Sequence, residues 1–338
     1  MTTNIISQLL QRATYHTHPS SPDGATVRPF PNFDPDVDAA ALNNALNAKG
    51  VDEDTIVDIL TTRTNCQRQQ IAAAYQQAFG KQLKEAIRRK LSGKVEDVAL
   101  GLLRTPAQYD AYQLNCAMKG LGTDEDTLVE ILVTRGNKEK NDLIKAYQEE
   151  FGNDLAKKIK GDTSGAFQKA LLMLLEATKD ESNEVDYDLA DDDARALYEA
   201  GEKQKGTDID TFVKVLSSRN NEHLKTVFER YTKYSPHDVA KALDLELKGD
   251  IENLLISLVK CIGNRPAYFA DKLQQSMKGF GTKDNILIRI IVSRSEVDLK
   301  NIKVEYKAKF GKTLYNAIKE ETKGDYEKIL LSLCGSDE

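Results

Sequence analysis

Apolar residues recur along the chain at the three- and four-residue spacing of helices. Leu128, Ile131 and Leu132 lie on one such face, and Leu171 and Leu175 lie on another. We find no convincing alternation of apolar and polar residues of the kind that marks a strand. The 8 prolines cluster near the N-terminus and at junctions between helical segments. The pattern predicts an all-α fold of many short helices.

The whole pattern occurs four times in the chain. Each copy has an Arg that closes a short apolar helix, a Tyr twelve residues later and a Gly eighteen residues after the Tyr. These markers are Arg63, Arg135, Arg219 and Arg294; Tyr75, Tyr147, Tyr231 and Tyr306; and Gly93, Gly165, Gly249 and Gly324. Because the copies start about 72 to 84 residues apart, each has room for four or five short helices.

The repeats divide the chain into predicted segments. These are a tail at 1–32, repeats at 33–104, 105–176, 188–260 and 264–335, and a linker at 177–187. The acidic stretch at 179–193 favours a solvated linker between the second and third repeats.

The tail combines a helical segment with an arm. Its apolar stripe fits one face of an amphipathic helix and consists of Ile5, Ile6, Leu9, Leu10 and Ala13. Ser, Pro and Gly are frequent in the residues that follow, which predicts a flexible arm. The helix either packs on its own core or docks in the groove of a partner, and the sequence does not separate the two.

Composition and charge are typical of a globular protein, with 40% hydrophobic and 30% charged residues. At a net charge of −6, broad binding to nucleic acid or anionic lipid would need an intervening cation. No apolar run reaches eighteen residues, and the first residues lack the basic region and apolar core of a signal peptide. We therefore expect a cytosolic protein without a membrane-spanning segment.

Four cysteines stand singly in the sequence, and they are Cys66, Cys116, Cys261 and Cys334. Since they form no CxxC pair and no dense framework, reduced thiols are favoured. A bridge between Cys261 and Cys334 remains an open alternative.

Three copies share a loop that ends in Gly-Thr. Its sequences are MKGLGT at 118–123, EKQKGT at 202–207 and MKGFGT at 277–282. By itself such a loop indicates only a helix end, in which Gly terminates one helix and Thr caps the next. The first copy reads AKGVDEDT from Ala48 and lacks the Gly-Thr pair.

A carboxylate follows each of these threonines at a fixed distance. The pairs, 39 residues apart, are Thr123 with Asp162, Thr207 with Glu246, and Thr282 with Glu321. The equivalent position in the first copy is Lys90. Helix capping does not predict this joint presence and joint absence, whereas a site built from both halves does.

Glycine loops that face a single acid suit a hard cation. Glycine lets the backbone turn successive carbonyl oxygens toward one point, and carbonyls with a bidentate carboxylate are ligands of Ca²⁺. The 4 histidines and scattered cysteines offer no zinc cluster. One acid per site predicts a weak affinity, on the order of 10⁻⁴–10⁻³ M, until another anion such as a lipid phosphate completes the shell.

Two weaker cation sites are predicted in the first copy. The candidate sets are Gly50, Val51 and Glu53, and, around the turn at Gly93, Arg88, Leu91 and Glu96. An EF-hand beginning at Asp34 is excluded, because its sixth and twelfth positions would be Ala39 and Ala45.

The four repeats, the MKGxGT loops, the acid 39 positions on and the ending TKGDYEKILLSLCG resemble the annexin family over about residues 33–335. The segments RQQIAAAY, DLELKGD and YTKYS are most similar to its vertebrate subgroup. The resemblance implies four domains of five helices in a curved disc, with calcium loops on the convex face. It also implies reversible, calcium-dependent docking on anionic phospholipid, with roles in membrane organisation, vesicle trafficking or aggregation, and phospholipase inhibition.

The resemblance further implies which residues hold the ions, mostly through backbone carbonyls. They are Met118, Gly120, Gly122, Thr123, Glu125 and Asp162 in the second copy; Gly201, Gln204, Gly206, Asp244, Glu246 and Leu247 in the third; and Met277, Gly279, Gly281, Glu321 and Thr322 in the fourth. The third loop departs from MKGxGT at residues 202–204. The tail departs further, and a dimeric EF-hand protein is carried over only as a candidate partner of residues 1–15.

Two other classes of function compete with calcium-dependent membrane binding. A helical-repeat scaffold would capture a protein partner through its N-terminal helix, with the Gly-Thr turns serving only as caps. An enzyme is not expected, because the chain shows no nucleophile motif or phosphate-cradling loop. Nucleic acid is not an expected partner either. The resemblance also allows secretion without a signal peptide.

Overall fold

A computed structural model describes residues 23–279 and 281–337 of the chain. It confirms an all-α fold: these residues form helices and no strand, with five helices in each of the four repeats. The helices are α1 Pro35–Asn47, α2 Glu53–Thr62, α3 Asn65–Phe79, α4 Leu83–Arg88, α5 Gly93–Leu102, α6 Pro106–Ala117, α7 Glu125–Thr134, α8 Asn137–Phe151, α9 Leu155–Asp162, α10 Gly165–Leu175, α11 Tyr187–Ala200, α12 Ile209–Ser218, α13 Asn221–Tyr231, α14 Val239–Glu246, α15 Asp250–Gly263, α16 Arg265–Met277, α17 Asp284–Arg294, α18 Leu299–Phe310, α19 Leu314–Glu321 and α20 Gly324–Cys334.

The chain forms two compact units. One holds the described residues up to Tyr109 and from Phe269 onward, and in it α1 packs on α3 and α20 on α2. The other is Asp110–Tyr268, where α7 packs on α15 and α11 on α13. No helix in the described ranges is both long enough and apolar enough to cross a bilayer.

The second helix of a repeat begins after an aspartate in three of the four copies. Asp52, Asp124 and Asp208 each accept the backbone N–H three residues on, at 3.1–3.3 Å. The interpretation of Thr as the cap is therefore wrong. Asp124 occupies the last position before the helix, from which its carboxylate reaches the unpaired amides of the first turn. The hydroxyl of Thr123 is left for another partner.

The Arg that marks a repeat forms an ion pair with the first helix in three copies. The pairs, with Nε–Oδ2 distances of 2.7–2.8 Å, are Arg63–Asp38, Arg135–Asp110 and Arg219–Asp193. In the first two pairs no side chain is more than 8% exposed. A second N–H···O bond makes each pair bidentate, which fixes the first helix against the end of the second. Sequence analysis used these arginines as markers and missed their partners.

The fourth repeat differs at this pair. Phe269 stands where the first-helix aspartate stands in the second repeat. The guanidinium carbon of Arg294 lies 4.8 Å from the centre of that ring. Its two N–H bonds go instead to Asp298, at 2.7 and 2.8 Å, one turn further along the chain. In the fourth repeat the carboxylate partner of the marker Arg therefore lies after the second helix of the repeat and not in its first helix, whereas the arginine keeps its position.

The marker tyrosines are buried, each at most 2% exposed. Three of their hydroxyls bond to the first helix of their own repeat, in the pairs Tyr75–Asn43, Tyr147–Asn115 and Tyr306–Gln274. In the third repeat, Tyr231 donates instead to Glu202 at 2.8 Å, and Glu202 lies in the loop that departs from MKGxGT. Packing therefore accounts for one of the unusual residues of that loop.

The acidic stretch at 179–193 is a linker only in part, because residues from Tyr187 onward belong to α11 and Asp193 is buried. The connector itself, residues 177–186, is mostly exposed, as a solvated linker would be, but it is also bonded to the starts of two helices. Asn137 at the start of α8 donates its side-chain amide to Lys179 O at 2.7 Å and its backbone N–H to Glu181 Oε1 at 2.8 Å. Asn220, the N-cap of α13, donates to Glu184 O at 2.8 Å. The connector thus follows a fixed path over these residues.

Part of the predicted flexible arm is bound to the first unit. The Thr26 hydroxyl donates to Leu333 O at 2.7 Å, and its backbone N–H donates to Ser295 O at 2.8 Å. The Phe30 ring lies 3.5 Å from the guanidinium carbon of Arg63. Flexibility is therefore the wrong expectation for residues 26–30. The predicted amphipathic helix with its stripe from Ile5 to Ala13 lies outside the described residues.

None of the four cysteines forms a disulfide, which confirms the expectation of reduced thiols. Burial raises the pKa of the Cys334 thiol to about 12, so this thiol stays protonated at neutral pH. The alternative of a bridge between Cys261 and Cys334 is not realised.

Candidate functional site

The loop of the second repeat joins α6 to α7. The Asp124 N–H closes it by donating to Ala117 O at 2.8 Å. Between these residues Gly120 and Gly122 have φ angles of 103° and 91°, in the left-handed region that favours glycine. A Cβ built on either glycine would meet no atom within 4 Å. The backbone conformation therefore requires glycine here, and the space beside both residues is open.

Thr123 connects this loop to the acid predicted from the sequence. Its hydroxyl donates to the backbone oxygen of Asp162 at 3.0 Å. Asp162 is the last residue of α9, so the loop and the end of that helix meet. Its carboxylate contacts Lys158 Nζ at 2.9 Å and is 20% exposed. The structure thus brings the two halves together and adds a lysine that sequence analysis missed, although its i, i+4 spacing is a usable signal.

The fourth repeat has the same arrangement with one change. Gly279 and Gly281 have φ angles of 112° and 83°. The Thr282 hydroxyl donates to Glu321 Oε2 at 3.3 Å, so it contacts the carboxylate itself. Glu321 is again the last residue of the repeat's fourth helix.

Besides burial, the negative charges of Asp162 and Glu321 each contribute to raising the pKa of a marker tyrosine. Burial, and then the charge of Asp162, raises the pKa of Tyr147. Burial, and then the charges of Glu321 and Glu320, raises the pKa of Tyr306 to about 12. Both phenols therefore stay protonated at neutral pH.

The loop of the third repeat is one residue longer. Its closing bond runs from the Asp208 N–H to Ala200 O at 2.8 Å and spans eight residues instead of seven. Gly206 has a φ of 85°. The Thr207 hydroxyl is buried and has no hydrogen-bond partner among the described residues, although Glu246 ends its helix as its counterparts do. The bond between the two halves is absent in this repeat.

Other candidates of the third repeat are held by local contacts. Gly201 has a φ of −108°, so it is not a left-handed glycine. The Gln204 side chain donates to Ala200 O at 3.0 Å. Lys241 Nζ lies 2.6 Å from Asp244 Oδ2, and this contact lowers the pKa of Asp244.

Several predicted ligands are available only through their backbone. The side chains of Met118, Met277, Leu247 and Thr322 are between 1% and 7% exposed. Glu125 is the first residue of α7. Leu121, at the variable position of MKGxGT, is fully exposed at the loop of the second repeat. Sequence analysis gave Leu121 no role.

The loop of the first repeat is substituted and not shortened, which corrects the interpretation of a missing Gly-Thr pair. Its closing bond, from the Asp52 N–H to Ala45 O at 3.0 Å, spans seven residues as in the second repeat. The substitutions place Ala48 where the second repeat has Gly120, and Val51 where it has Thr123. Because Ala48 has a φ of −60°, only Gly50, at 76°, turns this loop in the left-handed region.

The acids of the first repeat have other contacts. A hydrogen bond between Glu53 and Asp325 raises the pKa of Glu53 and lowers that of Asp325. Lys90 follows α4 at the position where the other repeats have their acid. A positive charge there disfavours a cation in the loop.

The second candidate set of the first repeat surrounds one turn. Arg88 Nη1 contacts Glu85 Oε1 at 3.0 Å, and Leu91 is 5% exposed. Gly93, with a φ of 63°, opens α5, and Glu96 lies in its first turn. The predicted residues therefore surround the turn between α4 and α5, and the Glu96 carboxylate belongs to α5.

The donor set fits Ca²⁺ better than a softer metal. Among residues 23–279 and 281–337, no three His, Cys, Asp or Glu side chains cluster as a metal site. Carbonyl oxygens of a left-handed loop with one acid are hard ligands, as Ca²⁺ requires. The buried Thr207 hydroxyl without a partner and the open space beside the glycines of the second and fourth loops are compatible with such an ion.

Comparisons with known proteins agree on one family. A family model described as Annexin matches residues 37–102, 109–174, 192–258 and 268–333. Annexin A1 of Cavia cutleri is 58% identical over 312 residues, which are 92% of this chain and 90% of that protein. The structure of annexin III has a TM-score of 0.91 at 45% identity and covers 93% of this chain and 98% of its own. A calcium-bound annexin (Sm)1 has a TM-score of 0.83 at 30% identity, covering 93% and 94%.

Proposed function

Because this chain belongs to the annexin family, which is known for Ca²⁺-dependent phospholipid binding, we propose that it binds anionic phospholipid surfaces when calcium rises. The observation that carries the proposal is the bond between loop and acid, Thr123 to Asp162 and Thr282 to Glu321. Where the acid is replaced, at Lys90, the threonine is replaced as well.

The ions would be held by backbone carbonyls of the Gly-Thr loops together with Asp162, Glu246 and Glu321. A bound Ca²⁺ supplies positive charge that these oxygens share with lipid phosphates. Several weak sites on one molecule multiply their effect through avidity. The proposed activity is binding without catalysis, and turnover on a panel of ester substrates would contradict it.

Two side chains, those of Thr123 and Lys158, influence the proposed calcium site of the second repeat. The Thr123 hydroxyl fixes the end of α9 beside the loop. Lys158 already neutralises part of the Asp162 charge at 2.9 Å, which weakens the attraction for a cation. We therefore infer a low intrinsic calcium affinity that lipid phosphates raise.

The test is sedimentation with phosphatidylserine vesicles across a calcium titration. The triple variant Asp162→Asn, Glu246→Gln and Glu321→Gln should need much more calcium than the wild type. A charge-matched control changes three exposed acids away from the loops, Glu150→Gln, Asp192→Asn and Glu222→Gln, and should behave as the wild type. Equal pelleting in chelator, or an unchanged calcium requirement in the triple variant, would contradict the proposal.

For the tail we propose a separate role as a ligand for a helix-binding partner such as a dimeric EF-hand protein. The support is the apolar stripe from Ile5 to Ala13. Full-length protein should bind such a partner and a chain lacking residues 1–22 should not, while both keep calcium-dependent vesicle binding. Membrane organisation, vesicle trafficking, phospholipase inhibition and secretion without a signal peptide are further proposals that depend on the membrane-binding activity.

A further inference from the structure

Lys140 is a buried lysine in α8 without a direct partner. It is 4% exposed, and within the described part of the chain it makes no hydrogen bond and no ion pair. Lys303, buried to a similar degree, donates to the carbonyl oxygen of Ser336. A buried ammonium normally has such a partner, because desolvating a charge is costly. Lys140 is therefore an exception that needs an explanation.

The equivalent residue of the first repeat shows how a buried cation at this position can be held. Arg68, five residues after the marker Arg as Lys140 is, is 2% exposed. It donates to Leu102 O at 2.8 Å, to Leu60 O at 3.1 Å and to Glu296 Oε1 at 2.7 Å. The second repeat retains a cation at this position but gives it no equivalent carboxylate contact.

A second lysine lies near Lys140. Lys179, in the connector, is fixed by its carbonyl bond to Asn137, and its ammonium group also makes no hydrogen bond or ion pair with the described residues. Burial, followed by the charge of Lys179, lowers the pKa of Lys140 to about 8. Burial also lowers the pKa of Lys179 to about 8. Burial thus outweighs the nearby negative charges at both ammonium groups, so an added anion would favour their charged forms.

Asn137 contributes an unsatisfied acceptor to the same place. Its Nδ2 donates to Lys179 O at 2.7 Å, which orients the amide. Its Oδ1 is buried and has no partner among the described residues. Asn137 and Lys140 are three residues apart on α8, so their side chains share one face. Two ammonium groups and one unsatisfied acceptor therefore lie near the first turn of this helix.

The surrounding charges leave a net positive balance. Glu139 and Glu181 raise the pKa of Lys140, but each already accepts a backbone N–H, from Gly136 and Asn137 respectively. The charge of Arg265 lowers the pKa of Lys179. The Cys261 thiol, which lies 3.8 Å from Val133 O, completes the surroundings. Three cations thus face two carboxylates and a thiol.

We propose that Lys140, Lys179 and Asn137 form a binding site for a small oxyanion that carries a hydroxyl group, of which hydrogen phosphate is the simplest. The two ammonium groups donate to its charged oxygens, and Asn137 Oδ1 accepts from its hydroxyl. A lipid phosphodiester lacks the hydroxyl and carries one charge, so free phosphate is favoured over a phospholipid headgroup. The site lies at the end of α7, about 15 Å along that helix from the calcium loop at its start.

The experiment measures phosphate binding by the full chain in calcium-free buffer at pH 7 and constant ionic strength. Isothermal titration with inorganic phosphate should give saturable binding, and chloride should give none. Sulfate, which has the charge but not the hydroxyl, should bind at least several-fold more weakly. Phosphatidylserine vesicles without calcium should not displace phosphate.

Variants separate this site from general charge effects. Lys140→Gln should weaken phosphate binding at least tenfold, and Lys179→Gln, on the less buried residue, provides a second variant that does not alter the core. Lys138→Gln removes an exposed lysine of the same helix and should bind phosphate as the wild type does. Calcium-dependent vesicle binding should be the same in all three.

Two results would overturn the proposal. One is phosphate binding no stronger than chloride binding. The other is equal phosphate affinity in Lys140→Gln, Lys179→Gln and the wild type. Because vesicle binding is measured separately, failure of this site does not affect the proposed membrane activity.

Discussion

The loops of the first and second repeats have the same framework and differ at the positions that would hold an ion. Each is closed by a hydrogen bond over seven residues, and each leads to an Asp that caps the next helix. In both repeats the marker Arg is paired with an Asp of the first helix. Of these two repeats, the second alone has two left-handed glycines and a threonine bound to an acid.

This difference shows that the Gly-Thr element is not needed to close the loop or to cap the next helix. The first repeat closes its loop and caps its helix with Ala48 and Val51 in those places. Folding alone therefore does not require Gly120 and Thr123, so their presence together with Asp162 calls for a second role. Four sets of substitutions test this comparison. They change the Arg–Asp pairs of the shared framework, the acid that contacts the loop, a left-handed glycine, and the threonine.

The largest effect is expected at the shared framework. Asp38→Ala and Asp110→Ala each leave a buried Arg without its carboxylate and should lower the free energy of unfolding by about 3–5 kcal/mol. Asp192→Ala, which removes an exposed acid, should cost less than about 1 kcal/mol. Chemical denaturation measures all three. A small cost for only one of the two buried acids would show that the frameworks are not equivalent.

The next effect is expected at the acid. Asp162→Asn keeps the backbone oxygen that Thr123 contacts but loses the charge. The calcium concentration for half-maximal vesicle binding should rise on the order of tenfold, since one contact of a multivalent set is lost. Lys90→Gln, at the equivalent position of the first repeat, should leave it unchanged. Equal shifts in both variants would remove the distinction between the two repeats.

A smaller effect is expected at the glycine. Gly122→Ala forces an L side chain to a φ of 91° and should cost about 1–2 kcal/mol of stability, although no atom crowds the new Cβ. Ala48→Gly should cost about 0.5–1 kcal/mol through the entropy of the unfolded chain. Thermal unfolding compares them. A stable Gly122→Ala variant would mean that the left-handed turn is not required.

The smallest effect is expected at the threonine. Thr123→Val copies the first repeat and removes one hydrogen bond, at a cost of about 0.5–1.5 kcal/mol. Val51→Thr introduces the hydroxyl opposite Lys90 and should change stability little. Denaturant unfolding with both single variants measures the contrast. If the two substitutions changed stability equally, the bond to Asp162 would have no special contribution.

Much of the fold was predictable because it repeats. Helical periodicity and the fourfold spacing of Arg, Tyr and Gly were sufficient for an all-α fold with four copies. The contact between loop and acid was predictable in the second and fourth repeats, since the threonine and the acid are present together there. The third repeat has both residues, but its Thr207 hydroxyl makes no such bond. Both signals are regular along the chain, so one sequence contains them several times over.

The remaining features depend on single long-range contacts that leave no periodic trace. The partner of Arg294 lies on a different element from the partner of Arg135, so aligning the arginines did not reveal either one. The same holds for Lys140, whose lack of a partner becomes visible only when its neighbours are placed. The threonine cap failed for a local reason, because the adjacent Asp124 reaches the helix amides first.

The connector between the second and third repeats has a consequence for sequence divergence. Two of the bonds that hold it end on backbone carbonyls, Lys179 O and Glu184 O, which any residue would provide. The donors, Asn137 and Asn220, belong to the helices. Related chains can therefore vary the connector's side chains without changing its path, whereas replacing either asparagine would release it.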